Sequence, residues 1–350
     1  MTISQIRIEE KSFPLKVPFI TSLRRVDCIE AIHLILETDD GIHAVGAAAP
    51  LKAITGEDRE SIIKGIQSLF GRFLNRPLNS AEEELDLLQQ LTETGPGPKG
   101  AMDMALHDLY SRAAGLPLYA YLGGKSGSII SDLTISLNNA DQMVLDSRKA
   151  EAEGFQTLKI KLGGSLEDDL NRFRKISHAV GCNLRIDANQ GWSIEDSLTF
   201  MDRCEKEKLS IDLLEQPLTA KDLKGMAYIR KRINCPLAAD ESVFTLDDAK
   251  RIIDCEGADI INVKLLKCGG ISQAKRILNL AESEGLECMM GCMMESPIGI
   301  SAALHLTAAS PVISYYDLDV PYLLNEIPQN YGFRNQGIKL SVKETAGFYD

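Results

Sequence analysis

Five charged residues recur through the middle of the chain at a nearly constant spacing, each at the end of a short apolar run. They are Lys161, Asp187, Glu215, Asp240 and Lys264, and consecutive members lie 24 to 28 residues apart. A strand, a helix and two short loops need roughly that many residues, so each step fits one βα unit of a parallel barrel. Because the strand ends of such a barrel surround one pocket, three carboxylates and two lysines would meet there.

The three acids, Asp187, Glu215 and Asp240, suggest a metal site. Each alone is equally consistent with a solvated loop carboxylate or a helix N-cap, but their common register on three consecutive strands favours metal binding. Oxygen donors without sulfur or imidazole favour magnesium, with manganese as the alternative, over zinc. We therefore predict one Mg²⁺ ion per subunit, held by these three carboxylates.

The lysines suggest acid and base chemistry. Lys159 and Lys161 are two residues apart on one strand, so both side chains face the barrel interior, and their like charges predict a lowered pKa for one of them. The competing interpretation, two surface lysines, would place charges under a covering helix. On a later strand Lys264 shares the inward parity of Asn262, whereas Lys267 falls in the following turn, so we favour Lys264 over Lys267. Bases on opposite faces of a carbon next to a metal-bound carboxylate are what a 1,1-proton transfer through an enediolate needs.

Composition excludes several classes of function. The chain has 350 residues, a formal net charge of −12 and a sequence pI near 5.0, which argue against nucleic acid binding. No stretch approaches the roughly 18 apolar residues of a membrane span, and the N-terminal residues lack the apolar core of a secretion signal. The eight cysteines are scattered singly, which favours free thiols over disulfides or zinc. We expect a cytoplasmic protein with a small-molecule substrate and no membrane partner.

The periodicity divides the chain into two parts. Residues 4–13, 29–37 and a run into Ala48 read as an antiparallel meander, and helical periods follow from Glu57 to Ala114, with residues 95–98 as a loop. We predict an α+β capping domain at 1–125, a barrel at 126–324, and a tail at 325–350 that returns to the cap. The predicted barrel strands are Leu133–Leu137, Thr157–Lys161, Asn183–Asp187, Ile211–Glu215, Leu237–Asp240, Ile260–Lys264, Leu286–Gly291 and Val312–Tyr316.

These residues, together with the run from Ala101 to Leu109 and the Gly115-Leu-Pro-Leu and Leu122-Gly-Gly segments, resemble the enolase superfamily in its muconate-lactonizing-enzyme subgroup. The resemblance covers nearly the whole chain. It implies an α/β fold, a (β/α)7β modified TIM barrel with an α+β capping domain, and a catalytic magnesium. It further implies that Lys161 and Lys264 are the acid/base pair, that Lys159 supports the enolate, and that the protein is a homo-oligomer.

The last strand narrows the resemblance to the dipeptide epimerases of that subgroup. Asp317 and Asp319 lie two residues apart and face one way, and in those enzymes an Asp-x-Asp here holds the substrate α-ammonium. The resemblance also implies that Arg24, or its neighbour Arg25, pairs with a substrate side-chain carboxylate, although a solvated arginine is an equal alternative. Ile54–Gly56 is similar to a second lid segment. Thr134 and Met294 are further candidates for substrate binding.

The predicted function is epimerisation at the α-carbon of the C-terminal residue of a dipeptide, with L-Ala-D/L-Glu favoured. A role in murein peptide metabolism follows only by analogy with the family. The alternatives are a cycloisomerase or an o-succinylbenzoate-synthase-type lyase of the same subgroup, which have no use for the Asp-x-Asp pair. A third class, a barrel that binds a ligand without catalysis, would make the five spaced side chains a coincidence.

Overall fold

The structure is a computed structural model that describes residues 1–21, 25–326 and 331–349. Its described residues begin with an antiparallel sheet of three strands, β1 (Ile3–Ile20), β2 (Arg25–Thr38) and β3 (His43–Ala48). The meander is as predicted, but β1 continues well beyond Phe13. That extension brings Phe19 to the mouth of the barrel.

In the described chain, five helices follow this sheet, and the second and fourth of them pack against it. The five are α1 (Lys52–Thr55), α2 (Arg59–Phe73), α3 (Ala81–Gln90), α4 (Pro96–Ala113) and α5 (Leu118–Tyr121). Asp58 closes a capping box at the start of α2, whose apolar stripe packs with Leu34 and Leu36 of β2. Helix α4 lies between the sheet and the barrel. It approaches β3 so closely that a Cβ on Gly46 would lie 1.8 Å from the Ala101 carbonyl oxygen.

The loop predicted at residues 95–98 is wrong for three of its four residues. Gly95 is the N-cap of α4, and the helix begins at Pro96. A proline fits the first helical turn because its missing N–H would have no partner there and its φ is already helical. The carboxylate of Glu57 accepts a hydrogen bond from the Gly97 N–H at 2.9 Å, which satisfies one of the free donors of this helix end.

After a short strand, β4 (Ser128–Ile130), the described chain forms one sheet of eight parallel strands in sequential order. The strands are β5 (Leu133–Ile135), β6 (Thr157–Lys161), β7 (Asn183–Asp187), β8 (Leu213–Glu215), β9 (Leu237–Ala239), β10 (Ile260–Val263), β11 (Glu287–Gly291) and β12 (Ile313–Asp317). Strands β6 and β7 have the predicted bounds, and each of the others differs from prediction by one or two residues in all. The ring closes where the Asp132 N–H donates to the Tyr316 carbonyl oxygen at 3.1 Å.

Helices connect successive strands on the outside of this ring. They are α6 (Ala140–Ala152), α7 (Leu166–Ser177), α8 (Ile194–Lys206), α9 (Leu223–Arg230), α10 (Leu246–Asp254), α11 (Leu265–Cys268), α12 (Ile271–Ser283) and α13 (Pro297–Ala308). The inside is filled at its lower level by the apolar cluster of Leu213, Ala238, Ile260 and Met289, next to Tyr315. Polar groups therefore gather above this layer, at the carboxyl ends of the strands.

The chain ends in α14 (Val320–Leu323), β13 (Phe333–Gln336) and β14 (Lys339–Val342). Strand β14 pairs with β4 and not with the N-terminal sheet. The tail also reaches α4, because the Phe348 N–H donates to Asp108 at 3.0 Å. Among the described residues, no helix combines the length and apolarity that a membrane crossing requires.

Candidate active site

The three predicted metal ligands lie side by side at the strand ends. Asp187 ends β7 in register with Glu215 at the end of β8, and Asp240 directly follows β9. All three are buried, with at most 4% of their surface exposed. The parallel register turns the side chains of neighbouring strands to the same side, so the three carboxylates face the mouth of the barrel together.

Each carboxylate is paired with a lysine. Lys161 Nζ donates to Asp187 Oδ2 at 2.5 Å, and Lys264 Nζ donates to Asp240 Oδ2 at 2.8 Å. Lys159 Nζ lies 2.7 Å from Glu215 Oε2, 3.1 Å from Asp187 Oδ2 and 2.8 Å from Asp317 Oδ2. The structure therefore brings all three predicted lysines to the carboxylates.

The prediction that the like charges of Lys159 and Lys161 lower one pKa is wrong for Lys159. Burial by itself lowers the pKa of Lys159, but the carboxylates of Asp317, Glu215 and Asp187 outweigh it and raise the pKa well above its usual value. Burial likewise opposes a raised pKa for Lys264, and the charge of Asp240 is the largest of the effects that raise it. The carboxylates come from separate strands, so the local Lys-x-Lys pattern gives no sign of them.

Lys161 and Lys264 approach the site from opposite sides. Strand β6 carries Lys161, and Lys264 follows β10, which is four strands further around the eight-stranded ring. Both line a cavity of about 60 Å³ together with Asp240 and Glu241. The cavity is covered by Phe19 from β1 and by Ala53 and Ile54 from α1.

The carboxylate oxygens of Asp187, Glu215 and Asp240 are donors that suit a hard divalent cation, although they are not arranged around a metal position in this structure. Within residues 1–21, 25–326 and 331–349, no group of three or more acidic, histidine or cysteine side chains has the arrangement of a metal centre. The three carboxylates instead contact the ammoniums. Glu215 Oε2 and Glu241 Oε2 are among the buried oxygens in this region that accept no hydrogen bond. Lys159 approaches Glu215 Oε2 at 2.7 Å but outside hydrogen-bond geometry. Buried carboxylates with spare acceptor capacity are suitable ligands for magnesium.

Asp317 and Asp319 lie on the opposite side of Lys159 from the three predicted ligands. Asp317 ends β12 and contacts Lys159, and Asp319 Oδ2 accepts the Thr134 N–H at 2.9 Å. The Cys292 thiol, a weak donor, lies 3.9 Å from Asp319 Oδ1. Burial, followed by the charge of Asp317, raises the pKa of Asp319. An acidic spot of this kind attracts a cationic group.

The other residues predicted to bind the substrate do not all line the cavity. Met294 lines the cavity. Thr134 contacts Asp319 through both its main-chain N–H and its side-chain hydroxyl. Arg24 lies outside the described residues, and the neighbouring Arg25 pairs with Asp27 at the surface. Ile54, in the predicted second lid segment, belongs to α1 and lines the cavity.

Three residues that the sequence did not assign to the site support its carboxylates. Asn262 Nδ2 donates to Glu215 Oε1 at 2.8 Å, Gln216 Oε1 accepts the Asp240 N–H at 3.0 Å, and Lys267 Nζ donates to the Asp240 carbonyl oxygen at 2.6 Å. Contrary to prediction, Lys267 lies in the short helix α11 and points into the site. The inward parity of Asn262 was a usable signal. Gln216 gave none, and Lys267 was considered only as the less favoured alternative to Lys264.

Two family models match the chain. The N-terminal domain model of the mandelate racemase / muconate lactonizing enzyme family matches residues 3–123, and an enolase C-terminal domain-like model matches residues 142–348. The chain therefore belongs to the enolase superfamily, in its mandelate racemase / muconate lactonizing enzyme group.

Its relatives include several epimerases. The L-Ala-D/L-Glu epimerase of Clostridium acetobutylicum is 40% identical over 92% of this chain and 91% of that protein. The Bacillus subtilis L-Ala-D/L-Glu epimerase, solved as a substrate-liganded complex, has a TM-score of 0.96 and 37% identity over 100% of this chain and 99% of that chain. A dipeptide epimerase of Enterococcus faecalis, solved with Mg and L-Leu-L-Tyr, has a TM-score of 0.94 and 34% identity over 99% of both chains. The predicted superfamily, the fold, the resemblance to dipeptide epimerases and the assignment to the isomerases are confirmed.

Proposed function

We propose that this protein is a magnesium-dependent dipeptide epimerase that inverts the α-carbon of the C-terminal residue, with L-Ala-L-Glu and L-Ala-D-Glu as the favoured pair. The observation that carries the proposal is the placement of Lys161 and Lys264 on opposite sides of one cavity beside buried carboxylates. The preference for Glu is supported by the names of the Clostridium and Bacillus relatives.

Asp187, Glu215 and Asp240 would hold one magnesium ion. When bound, the ion would stabilise the negative charge that develops on the substrate carboxylate as the α-proton leaves. Asn262 and Gln216 keep two of these ligands in place through Glu215 and the Asp240 main chain. Manganese suits the same oxygen donors.

The two lysines would exchange the α-proton on opposite faces of the substrate. One, as its neutral amine, removes the proton, which leaves a planar enediolate, and the other, as its ammonium, donates a proton from behind. Lys161 and Lys264 must leave Asp187 and Asp240 to do so, because both are paired in this structure. Lys159, held by three carboxylates, would stay charged and stabilise the enediolate.

Asp317 and Asp319 would bind the free α-ammonium of the dipeptide and so set its orientation. The role of Arg24 toward a Glu side chain stays a prediction. The cavity of about 60 Å³ is much smaller than a typical ligand pocket, so the covering segments around Phe19 and Ile54 would move when substrate enters.

The proposal is tested by incubating the purified protein with Mg²⁺ and L-Ala-L-Glu and resolving the epimers by chiral chromatography. We expect a mixture of L-Ala-L-Glu and L-Ala-D-Glu from either starting compound, loss of turnover with a chelator, and recovery with Mg²⁺. A Lys224→Met protein, altered at an exposed site, serves as the control. If no dipeptide in a broad panel is epimerised but a cycloisomerase or o-succinylbenzoate-synthase substrate is converted, the alternative replaces the proposal.

A further inference from the structure

We infer that Lys267 is a positioning residue for the reaction, because it holds Asp240 in place while Lys264 leaves that carboxylate to exchange a proton with the substrate. The inference rests on the proposed epimerisation. It assigns a distinct task to a second buried lysine at the same aspartate.

Lys267 has a complete set of fixed partners. Its side chain is only 1% exposed, and its ammonium donates to Asp240 Oδ1, to the Asp240 carbonyl oxygen at 2.6 Å and to the Asn262 carbonyl oxygen at 3.1 Å. An ammonium has three donors, and all three are used here. A group bound in this way is suited to holding a neighbour still.

Lys264 binds the same carboxylate from the other side. Its ammonium donates to Asp240 Oδ2 at 2.8 Å, and its side chain lines the cavity, whereas Lys267 is not among the residues around the cavity. Asp240 therefore has one ammonium on each oxygen. One of them is anchored in the protein, and the other faces the space where a substrate would bind.

The arrangement matters because a buried carboxylate is costly to leave unpaired. When Lys264 turns toward the substrate, Lys267 remains on Oδ1 and keeps Asp240 oriented, while the bound magnesium ion would share in neutralising its charge. The main chain of Asp240 is fixed as well, since Gln216 Oε1 accepts its N–H and Lys267 binds its carbonyl oxygen. Without Lys267, Lys264 would be the only ammonium on Asp240 and would leave that carboxylate less readily.

The test compares the two faces of the substrate in Lys267→Met. In deuterated water with saturating Mg²⁺, α-proton exchange is followed by NMR from each epimer separately, and Lys264→Ala defines which epimer depends on Lys264. We expect Lys267→Met to lose about tenfold or more in exchange from that epimer and less than about threefold from the other. Lys267→Arg, which keeps the charge and still donates hydrogen bonds, should recover most of the loss.

An equal loss from both epimers, or no loss, would overturn the inference, because a residue needed only for folding or metal retention affects both faces alike. The exposed Lys224→Met protein is the matched control for replacing a lysine by methionine. If Lys267→Met does not fold, Lys267→Gln, which keeps a donor but no charge, should show the same one-sided loss.

A crystal structure of the magnesium-free Lys267→Met or Lys267→Gln protein separates this inference from the proposed function, since it needs no substrate. We expect the Lys264 ammonium to contact both oxygens of Asp240 and to withdraw from the cavity. If Asp240 and Lys264 keep the single 2.8 Å contact seen here, the positioning role is wrong even for an active epimerase. Conversely, an inactive wild-type protein with the expected rearrangement would refute only the epimerisation.

Discussion

The two carboxylate oxygens of Asp319 face donors of different strength. Oδ2 accepts the Thr134 N–H, the Thr134 hydroxyl is a further donor to this carboxylate, and the Cys292 thiol lies 3.9 Å from Oδ1. A buried carboxylate usually gains two or more strong donors, and here the remaining acceptor capacity lies beside Asp317. This is the pattern expected of a site that binds the ammonium of a substrate.

We therefore predict that Asp319→Asn lowers kcat/KM for dipeptides with a free α-ammonium by about 10- to 100-fold, because a charge-assisted hydrogen bond is replaced by a neutral one. The same variant should have little effect on any residual turnover of an N-acetylated dipeptide. Steady-state kinetics on the two substrates provides the measurement, with the exposed Asp202→Asn protein as control. An equal loss on both substrates would contradict ammonium binding.

At the residue scale, the candidate site residues that the sequence made predictable are those at the carboxyl ends of strands. Lys161, Asp187 and Glu215 end strands in the structure, and Asp240 and Lys264 directly follow strands. It did not predict the raised pKa of Lys159, because the responsible charges lie 28 to 158 residues away along the chain. Lys267 was missed because strand parity stops at the strand end, and a helical turn then reverses its direction.

At the scale of the elements, strand β11 ends in a glycine, which leaves space for the side chains of Asn262 and Lys264. Its last residue, Gly291, lies where a Cβ would be 2.4 Å from Asn262 Oδ1 and 2.8 Å from Lys264 Cε. No side chain at this position could coexist with both groups in their present places. The glycine thus allows Lys264 to reach Asp240.

Gly291→Ala should therefore lower the rate of exchange that depends on Lys264 by about tenfold or more and cost about 1–3 kcal/mol in the free energy of unfolding through overpacking. Gly71→Ala is the matched control, because Gly71 lies in helix α2 with open space around it, and alanine there should stabilise by about 1 kcal/mol. Exchange kinetics and urea unfolding of both proteins provide the measurement. Unchanged exchange in Gly291→Ala would show that Lys264 does not need this space.

Strands with a clear apolar pattern were predictable from the sequence, whereas the start of a helix and the pairing of distant strands were not. Strands β6 and β7 have apolar runs whose ends are marked by charged residues, and both have the predicted bounds. The start of α4 was misplaced because Gly and Pro mark loops in most contexts, although proline is also favoured in the first helical turn. The pairing of β14 with β4 joins strands about 200 residues apart, and no local pattern encodes such a partner.

For the whole molecule, His305 links three distant parts of the chain. It lies in α13, where its Nδ1 accepts the Tyr119 N–H at 3.2 Å and its Nε2 contacts the Gly332 carbonyl oxygen at 3.1 Å. Because Tyr119 supplies a donor, the ring is neutral with its proton on Nε2. Burial lowers the pKa of His305 to about 4. Protonation of the ring would therefore weaken the contacts by which α13 holds Tyr119 and Gly332.

The stabilising effect of the neutral His305 is fully present above about pH 6.5 and is lost as the pH falls toward 4, since the unfolded chain takes up the proton first. We predict that His305→Gln reduces the fall in unfolding free energy between about pH 6 and pH 5 by about 1 kcal/mol. Urea unfolding at both pH values is the measurement. An identical slope in His305→Gln and wild type would contradict this account.

The account as a whole depends on two bases that act on opposite faces of one carbon, and proton exchange tests this most directly. In deuterated water with Mg²⁺, the wild-type protein should exchange the α-proton of the C-terminal residue from both L-Ala-L-Glu and L-Ala-D-Glu. Lys161→Ala should retain exchange from only one epimer, and Lys264→Ala from only the other. If both variants lose exchange from the same epimer, the two lysines do not act on opposite faces and the proposed mechanism is wrong.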